Sequence, residues 1–102
     1  MTQKQDITAI IYDKRGRVLS IGKNSYIKTH PLQKYHADKV GLSDKVYCHA
    51  EISAIIRLRD NQKPYKMFVS RLLKDGSLGN AKPCLICQSA IKAAGIKEVE
   101  FT

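Results

Sequence analysis

The sequence predicts an α/β sandwich in which two helices pack on one mixed sheet of about four strands, in the order ββαβαβ. Three observations carry that prediction. The chain opens with two β-branched runs separated by a turn, and two segments of helical spacing follow. Strand and helix then alternate through the second half, the arrangement that lays helices on a sheet. With 102 residues, 43% of them hydrophobic, residues 1–102 hold enough material for one compact domain and too little for two.

Residues 7–12 (Ile-Thr-Ala-Ile-Ile-Tyr) are rich in β-branched and aromatic side chains and stop at the turn Asp13-Lys14-Arg15-Gly16-Arg17. The β pattern resumes over residues 18–22, so the pair reads as a β-hairpin. Residues 23–47 carry Pro31, Gly41 and many polar side chains without sustained periodicity, which predicts a long loop with some short helix. From His49 onward Ile52, Ile55, Ile56 and Arg59 fall at helical spacing until the polar run before Pro64, so a helix is expected over about 49–60. Residues 66–73 read as a strand and residues 74–79 as a hairpin tip. Pro83 suits the start of a second helix and Gly95 the position beyond its end. Between them Ile86, Ala90, Ile91 and Ala94 form an apolar stripe, and residues 96–101 supply a last alternating strand.

Composition narrows the setting. No run approaches the roughly 20 apolar residues that span a bilayer, and the segment Met1-Thr2-Gln3-Lys4-Gln5-Asp6 lacks the apolar core of a secretory signal. Three cysteines, two of them at Cys-x-x-Cys spacing, suit a reducing compartment and a metal or redox role better than a disulfide framework. A cytoplasmic protein without membrane association is expected. Eighteen Lys and Arg against nine Asp and Glu give a net charge of +9, which favours anionic partners such as nucleotides or nucleic acid. The basic residues are scattered from Lys4 to Lys97, so a merely basic solvated surface stays open as the alternative.

His49-Ala50-Glu51 and Pro83-Cys84-Leu85-Ile86-Cys87 each fall at a predicted helix start, and together they offer one imidazole, two thiols and a carboxylate. That set suits catalytic zinc, which takes nitrogen and sulfur ligands tetrahedrally and keeps a fourth position open when the protein supplies three. Cys84 and Cys87, one helical turn apart, point the same way, and the positive end of the helix favours their thiolates. His49 completes the triangle from the other helix, and Glu51 is placed for proton transfer without being a ligand. A redox Cys-x-x-Cys would leave His49 and Glu51 without a role. A closed structural site using Cys48 as fourth ligand is opposed by its adjacency to His49, since neighbours diverge at a helix start. Tyr26, His30, Tyr35, His36 and Tyr47 of the long loop could stack on a base, although ordinary packing is the better reading of each.

His-Ala-Glu followed by Pro-Cys-x-x-Cys resembles the zinc-dependent cytidine and deoxycytidylate deaminase superfamily. Residues 83–99 look like its deoxycytidylate and tRNA-adenosine deaminase branch, and Gly22-Lys23-Asn24 is similar to that branch's substrate-binding Gly-x-Asn. The resemblance implies a cytidine deaminase-like sandwich with a zinc ion (Zn2+) on His49, Cys84 and Cys87, and Glu51 as the catalytic proton shuttle. It implies that Asn24 binds the sugar or base edge and that the Ala50 backbone contacts the base. The expected activity is hydrolytic deamination of a cytosine-type base in a free nucleoside or nucleotide, such as cytidine, deoxycytidine or deoxycytidylate. Water activated by the zinc attacks the amine-bearing ring carbon in that chemistry. Editing of cytosine or adenine in single-stranded DNA or RNA is the alternative, and a silent zinc-containing binding module is a further one, against which the intact Glu51 argues. The chain starts close to its first strand and stops soon after Phe101, so a short, minimal member is expected. The turn around Asp75-Gly76 is an addition before Pro-Cys. Because helices on one face leave apolar surface to cover, and relatives commonly form dimers or tetramers, a homo-oligomer is expected.

Overall fold

In the computed structural model, which describes residues 6–25, 30–41 and 49–102, β1 (Asp6–Tyr12) and β2 (Val18–Lys23) form the expected antiparallel hairpin. Asp13 builds its turn. One carboxylate oxygen accepts the backbone N–H groups of Arg15 and Arg17, each at 2.9 Å, and the other accepts the Arg17 guanidinium at 2.7 Å. Such local capture of backbone donors is why Asp favours turns.

Strand β3 (Lys66–Leu72) pairs antiparallel with β1 from Asp6↔Leu72 to Tyr12↔Lys66. Its other edge is divided. β5 (Glu98–Phe101) runs parallel beside Lys66 to Val69, and β4 (Leu78–Gly79) runs antiparallel beside Arg71 and Leu72. Thr102 bridges the junction: its hydroxyl accepts from the Arg71 N–H at 3.2 Å and donates to the Gly79 carbonyl at 2.6 Å. Its own carbonyl accepts from the Ala81 N–H at 2.8 Å. Among the described residues the mixed sheet therefore has five strands where about four were expected, because the expected hairpin tip already contains β4.

Strand alternation sets the core. Ala9 and Ile11 of β1 face the same way as their partners Val69 and Met67 of β3, and all four are fully buried. Onto them pack α2 (Ala50–Ile56) and α3 (Leu85–Ala93), through Ala50, Ile52, Ala54, Cys87, Ala90 and Ile91. The opposite sheet face carries a row of Ile21, Ile10 and Phe68, with Ile21 47% exposed. Helix α2 is seated closely on β2: Ser20 Oγ donates to the Ala54 carbonyl at 2.8 Å. A Cβ at Gly22 would collide with the backbone at Ala50 O and Ala54 N, so only glycine permits this approach.

Helix α2 ends at Ile56, earlier than the expected 60, because a turn takes over the next donors. Gln62 Oε1 accepts the Arg59 N–H at 2.9 Å, and the Leu58 N–H reaches back only to Ile55. In α3 the cap is Cys84, so Pro83 lies just before the helix rather than in its first turn. Gly95 closes α3 as expected: at φ 81° its N–H bonds the Lys92 carbonyl at 3.1 Å and the Ile96 N–H bonds Ile91 at 3.3 Å. That pair of bonds is a Schellman closure, and buried Ile96 supplies its apolar contact.

The segment read as a long loop with some short helix contains a nine-residue helix, α1 (Pro31–Lys39). His30 caps it by accepting the Leu32 N–H on Nδ1 at 3.0 Å, and Pro31 occupies the first turn, where its missing donor is not needed. The buried positions of α1 are Gln33, His36 and Ala37. Their spacing is helical but two are polar, so hydrophobic periodicity does not reveal the helix. No described helix is long and apolar enough to cross a membrane.

Candidate metal centre

The two helices that carry the expected ligands both start on residues that make poor caps. N-terminal backbone donors usually attract Ser, Thr, Asp or Asn, yet α2 is capped by His49 and α3 by Cys84, and neither makes the usual side-chain capping bond. Breaking a local rule at two helix starts marks a site where function outweighs helix stability. Both side chains are instead turned toward each other. His49 Nδ1 lies 3.3 Å from Cys87 Sγ and 3.4 Å from Cys84 Sγ, and the three donor atoms lie within 4.8 Å of one another.

These separations fit a tetrahedral zinc. At about 2.0–2.1 Å to nitrogen and about 2.3 Å to sulfur, tetrahedral angles place an N and an S ligand about 3.6 Å apart, close to the 3.3 and 3.4 Å observed. The protonation pattern fits as well. The hydrogen bond from the Cys87 thiol brings Cys84 down to about 4, with His49 assisting against the effect of partial burial. Cys87 is pushed up in turn, by holding that bond, by full burial and by the Glu51 charge. A metal between the two sulfurs would take the place of the hydrogen bond they share. Exposed Cys84 is lowered chiefly by its partners Cys87 and His49, whereas buried Cys87 moves the other way from the thiolate that its helix position was expected to favour.

Glu51, in the first turn of α2, is 5% exposed, and burial raises its carboxyl above the ordinary carboxylate range. Its own backbone N–H, the Cys87 thiol and His49 offset part of that rise. Ala50 is fully buried in the same turn. Asn24 leaves β2 two residues beyond Gly22, and its Oδ1 accepts the Ile7 N–H at 3.1 Å. The close approach at Gly22 is what brings that strand end to the first turn of α2.

The ring residues fare differently. Tyr26, Tyr47 and Cys48 lie outside the described residues. His30 caps α1 through Nδ1, and His36 is buried with Nδ1 2.8 Å from Ser89 Oγ, an environment of packing. Tyr35 is 59% exposed and meets the His36 ring edge-on at 5.0 Å. Sequence reasoning missed Gln33, which is fully buried and whose Oε1 accepts the His49 N–H at 3.3 Å. The helical i, i+3, i+4 spacing of Gln33, His36 and Ala37 behind Pro31 was the available signal.

Among the described residues His49, Cys84 and Cys87 form the group suited to a metal ion. A model of the cytidine and deoxycytidylate deaminase zinc-binding region matches residues 1–102. The chain belongs to that family. No curated protein matches it. Family and donor geometry agree on Zn2+ as the cofactor, and the fold is the cytidine deaminase-like sandwich with a zinc-dependent deaminase domain.

Proposed function

We propose that this deaminase-family chain hydrolytically deaminates a cytosine-type base in a free nucleoside or nucleotide, with His49, Cys84 and Cys87 holding zinc and Glu51 moving the protons. The observation that carries this reading is the convergence of three zinc-type donors beside a buried carboxylate of raised pKa. Zinc bound there supplies Lewis acidity that brings the pKa of water toward neutrality. Glu51 takes a proton from the attacking water and gives it to the ring nitrogen. A second proton then accompanies the exocyclic amine as it leaves, so that amine and water become carbonyl and ammonia. Burial suits Glu51 to both directions of transfer, because a carboxyl with a raised pKa is a stronger base and still an adequate acid near neutral pH.

Asn24 and the Ala50 backbone hold the substrate in this reading, from the two elements that Gly22 brings together. A reducing, cytoplasmic setting suits the free thiols Cys84 and Cys87. The chain is read as one domain, and the apolar row Ile21, Ile10 and Phe68 supports a homo-oligomer. A second reading, deamination within single-stranded nucleic acid, draws support from Lys82, Lys92 and Lys97, which line a cavity beside α3 that has no carboxylate in its lining.

One panel separates these readings. Zinc-loaded protein is incubated with cytosine and adenine nucleosides, nucleotides and oligonucleotides, and ammonia and the deaminated base are measured. Release from cytidine, deoxycytidine or deoxycytidylate is expected. Turnover of oligonucleotides alone would favour the second reading, and no turnover by zinc-bound protein would leave a silent binding module.

A further inference from the structure

Gln33 and His36 are the buried polar residues of α1, at 0% and 2% exposure, one helical turn apart on one face. Burying an amide and an imidazole is unfavourable unless each is hydrogen-bonded, and apolar side chains would fill the same layer without that requirement. Each of the two reaches a different ligand-bearing element. Gln33 accepts the backbone N–H of His49 at 3.3 Å. As the cap of α2, His49 stands ahead of the helical ladder, where no carbonyl of its own helix can take that donor. His36 bonds Ser89 at 2.8 Å, and Ser89 lies on α3 two residues beyond Cys87.

Accepting His49, Cys84 and Cys87 as the ligands, we infer that α1 is a clamp on the metal triangle, with Gln33 and His36 as positioning residues that set the nitrogen donor against the sulfur pair. Apolar packing alone between α2 and α3 is non-directional and tolerates sliding. The two hydrogen bonds are directional, and α1 spans both partners as one rigid element. The donor separations of 3.3 and 3.4 Å are the quantity being held.

The test uses the full chain with cobalt(II) as a spectroscopic probe and zinc affinity measured by competition with a chromophoric chelator. Gln33→Met removes the acceptor at nearly constant shape, and His36→Leu removes the imidazole. His36→Asn keeps a hydrogen-bonding atom at the Nδ1 position and serves as the rescue, while Ile11→Val loosens the core away from α1. Gln33→Met and His36→Leu are expected to weaken zinc binding roughly 10-fold or more, as loss of partners behind metal ligands does, and to shift the cobalt absorption bands. His36→Asn is expected to restore both readouts, and Ile11→Val to leave the bands in place. Affinities within about two-fold of the unmodified chain, with unchanged bands, would overturn the clamp; the same band shift in Ile11→Val would also overturn it, by reducing the effect to lost stability. If Gln33→Met or His36→Leu does not fold, Ser89→Ala decides by the same two readouts. An unmodified chain that takes up neither metal overturns the ligand assignment and the clamp with it, whereas indifferent variants of a metal-binding chain overturn the clamp alone.

Discussion

Replacing Gly22 by alanine tests how the sheet places the site. The new methyl would collide with the backbone at Ala50 O and Ala54 N and lie 2.9 Å from Ala54 Cα, so no side-chain rotation can relieve it. Restoring an ordinary separation of about 3.5 Å requires α2 to rise from β2 by about 1 Å. That movement strains the bond from Ser20 Oγ to the Ala54 carbonyl, now 2.8 Å long, and opens the packing of Ala50 and Ala54. Overpacking of this kind costs about 1–3 kcal/mol. At about 4–8 °C per kcal/mol for a domain of this size, Tm should fall by roughly 5–20 °C. His49 and Glu51 ride on the displaced turn, and a misplacement of about 1 Å can lower a rate about 10²-fold. Thermal unfolding in saturating zinc, followed by the ammonia-release assay, reads both effects. A Tm within about 2 °C of the unmodified chain, with full turnover, would refute the close-approach argument.

Glu51→Gln should lower deamination by about 10²–10⁴-fold or more while zinc content stays at one per chain by elemental analysis; near-normal turnover would remove Glu51 from proton transfer. Cys84→Ala and Cys87→Ala should both lose zinc. Cys87→Ala should cost about 1 kcal/mol more in unfolding experiments on the metal-free chain, because only Cys87 is buried in the core and its loss resembles that of one buried methyl group. Chelation of the intact protein should lower Tm, since metal binding is coupled to folding; a chelator-indifferent Tm would disconnect the metal from the fold. Burial, aided by the Lys39 charge, depresses the His36 imidazole below its ordinary value of 6.5. Below that value the unfolded chain binds the proton more readily than the folded one, so stability should fall as pH drops from about 6.5 through the depressed pKa. Equilibrium denaturation across this range should show the slope, and His36→Asn should flatten it.

What could be read from the sequence was what local chemistry dictates. Asp13 and its turn, the closure at Gly95 and the His-x-Glu and Cys-x-x-Cys spacings are short-range, and each stands where it was expected. Gly22 was noticed beside Asn24 as part of a substrate motif, but its packing reason, contact with the α2 backbone, depends on a neighbour far along the chain. Some short helix was expected between residues 23 and 47, but the bounds of α1 were not legible because its buried face is mostly polar, and the reason for that polarity lies with partners 16 and 53 residues away, His49 and Ser89. β4 escaped because two residues carry no periodicity, and its place is fixed by the bonds of Gly79 to Thr102 and of Leu72 to Leu78 as register partners. The premature end of α2 turned on Gln62, whose side chain competes for a backbone donor.

Thr102 ties β5, β4 and the stretch before Pro83 into one junction, which couples the parallel pairing of β5 to the approach of the cysteine helix. The β1–β2 hairpin closes a short loop, an event of about 1–10 μs. β5 must cross over through α3 before it can pair in parallel with β3, and such non-local pairing is slow. The Ala81–Thr102 bond anchors the stretch leading into Cys84 and Cys87 to the end of β5. A metal held by His49, Cys84 and Cys87 would cross-link the starts of α2 and α3, so the yield of folded protein is expected to rise with the zinc supply during synthesis.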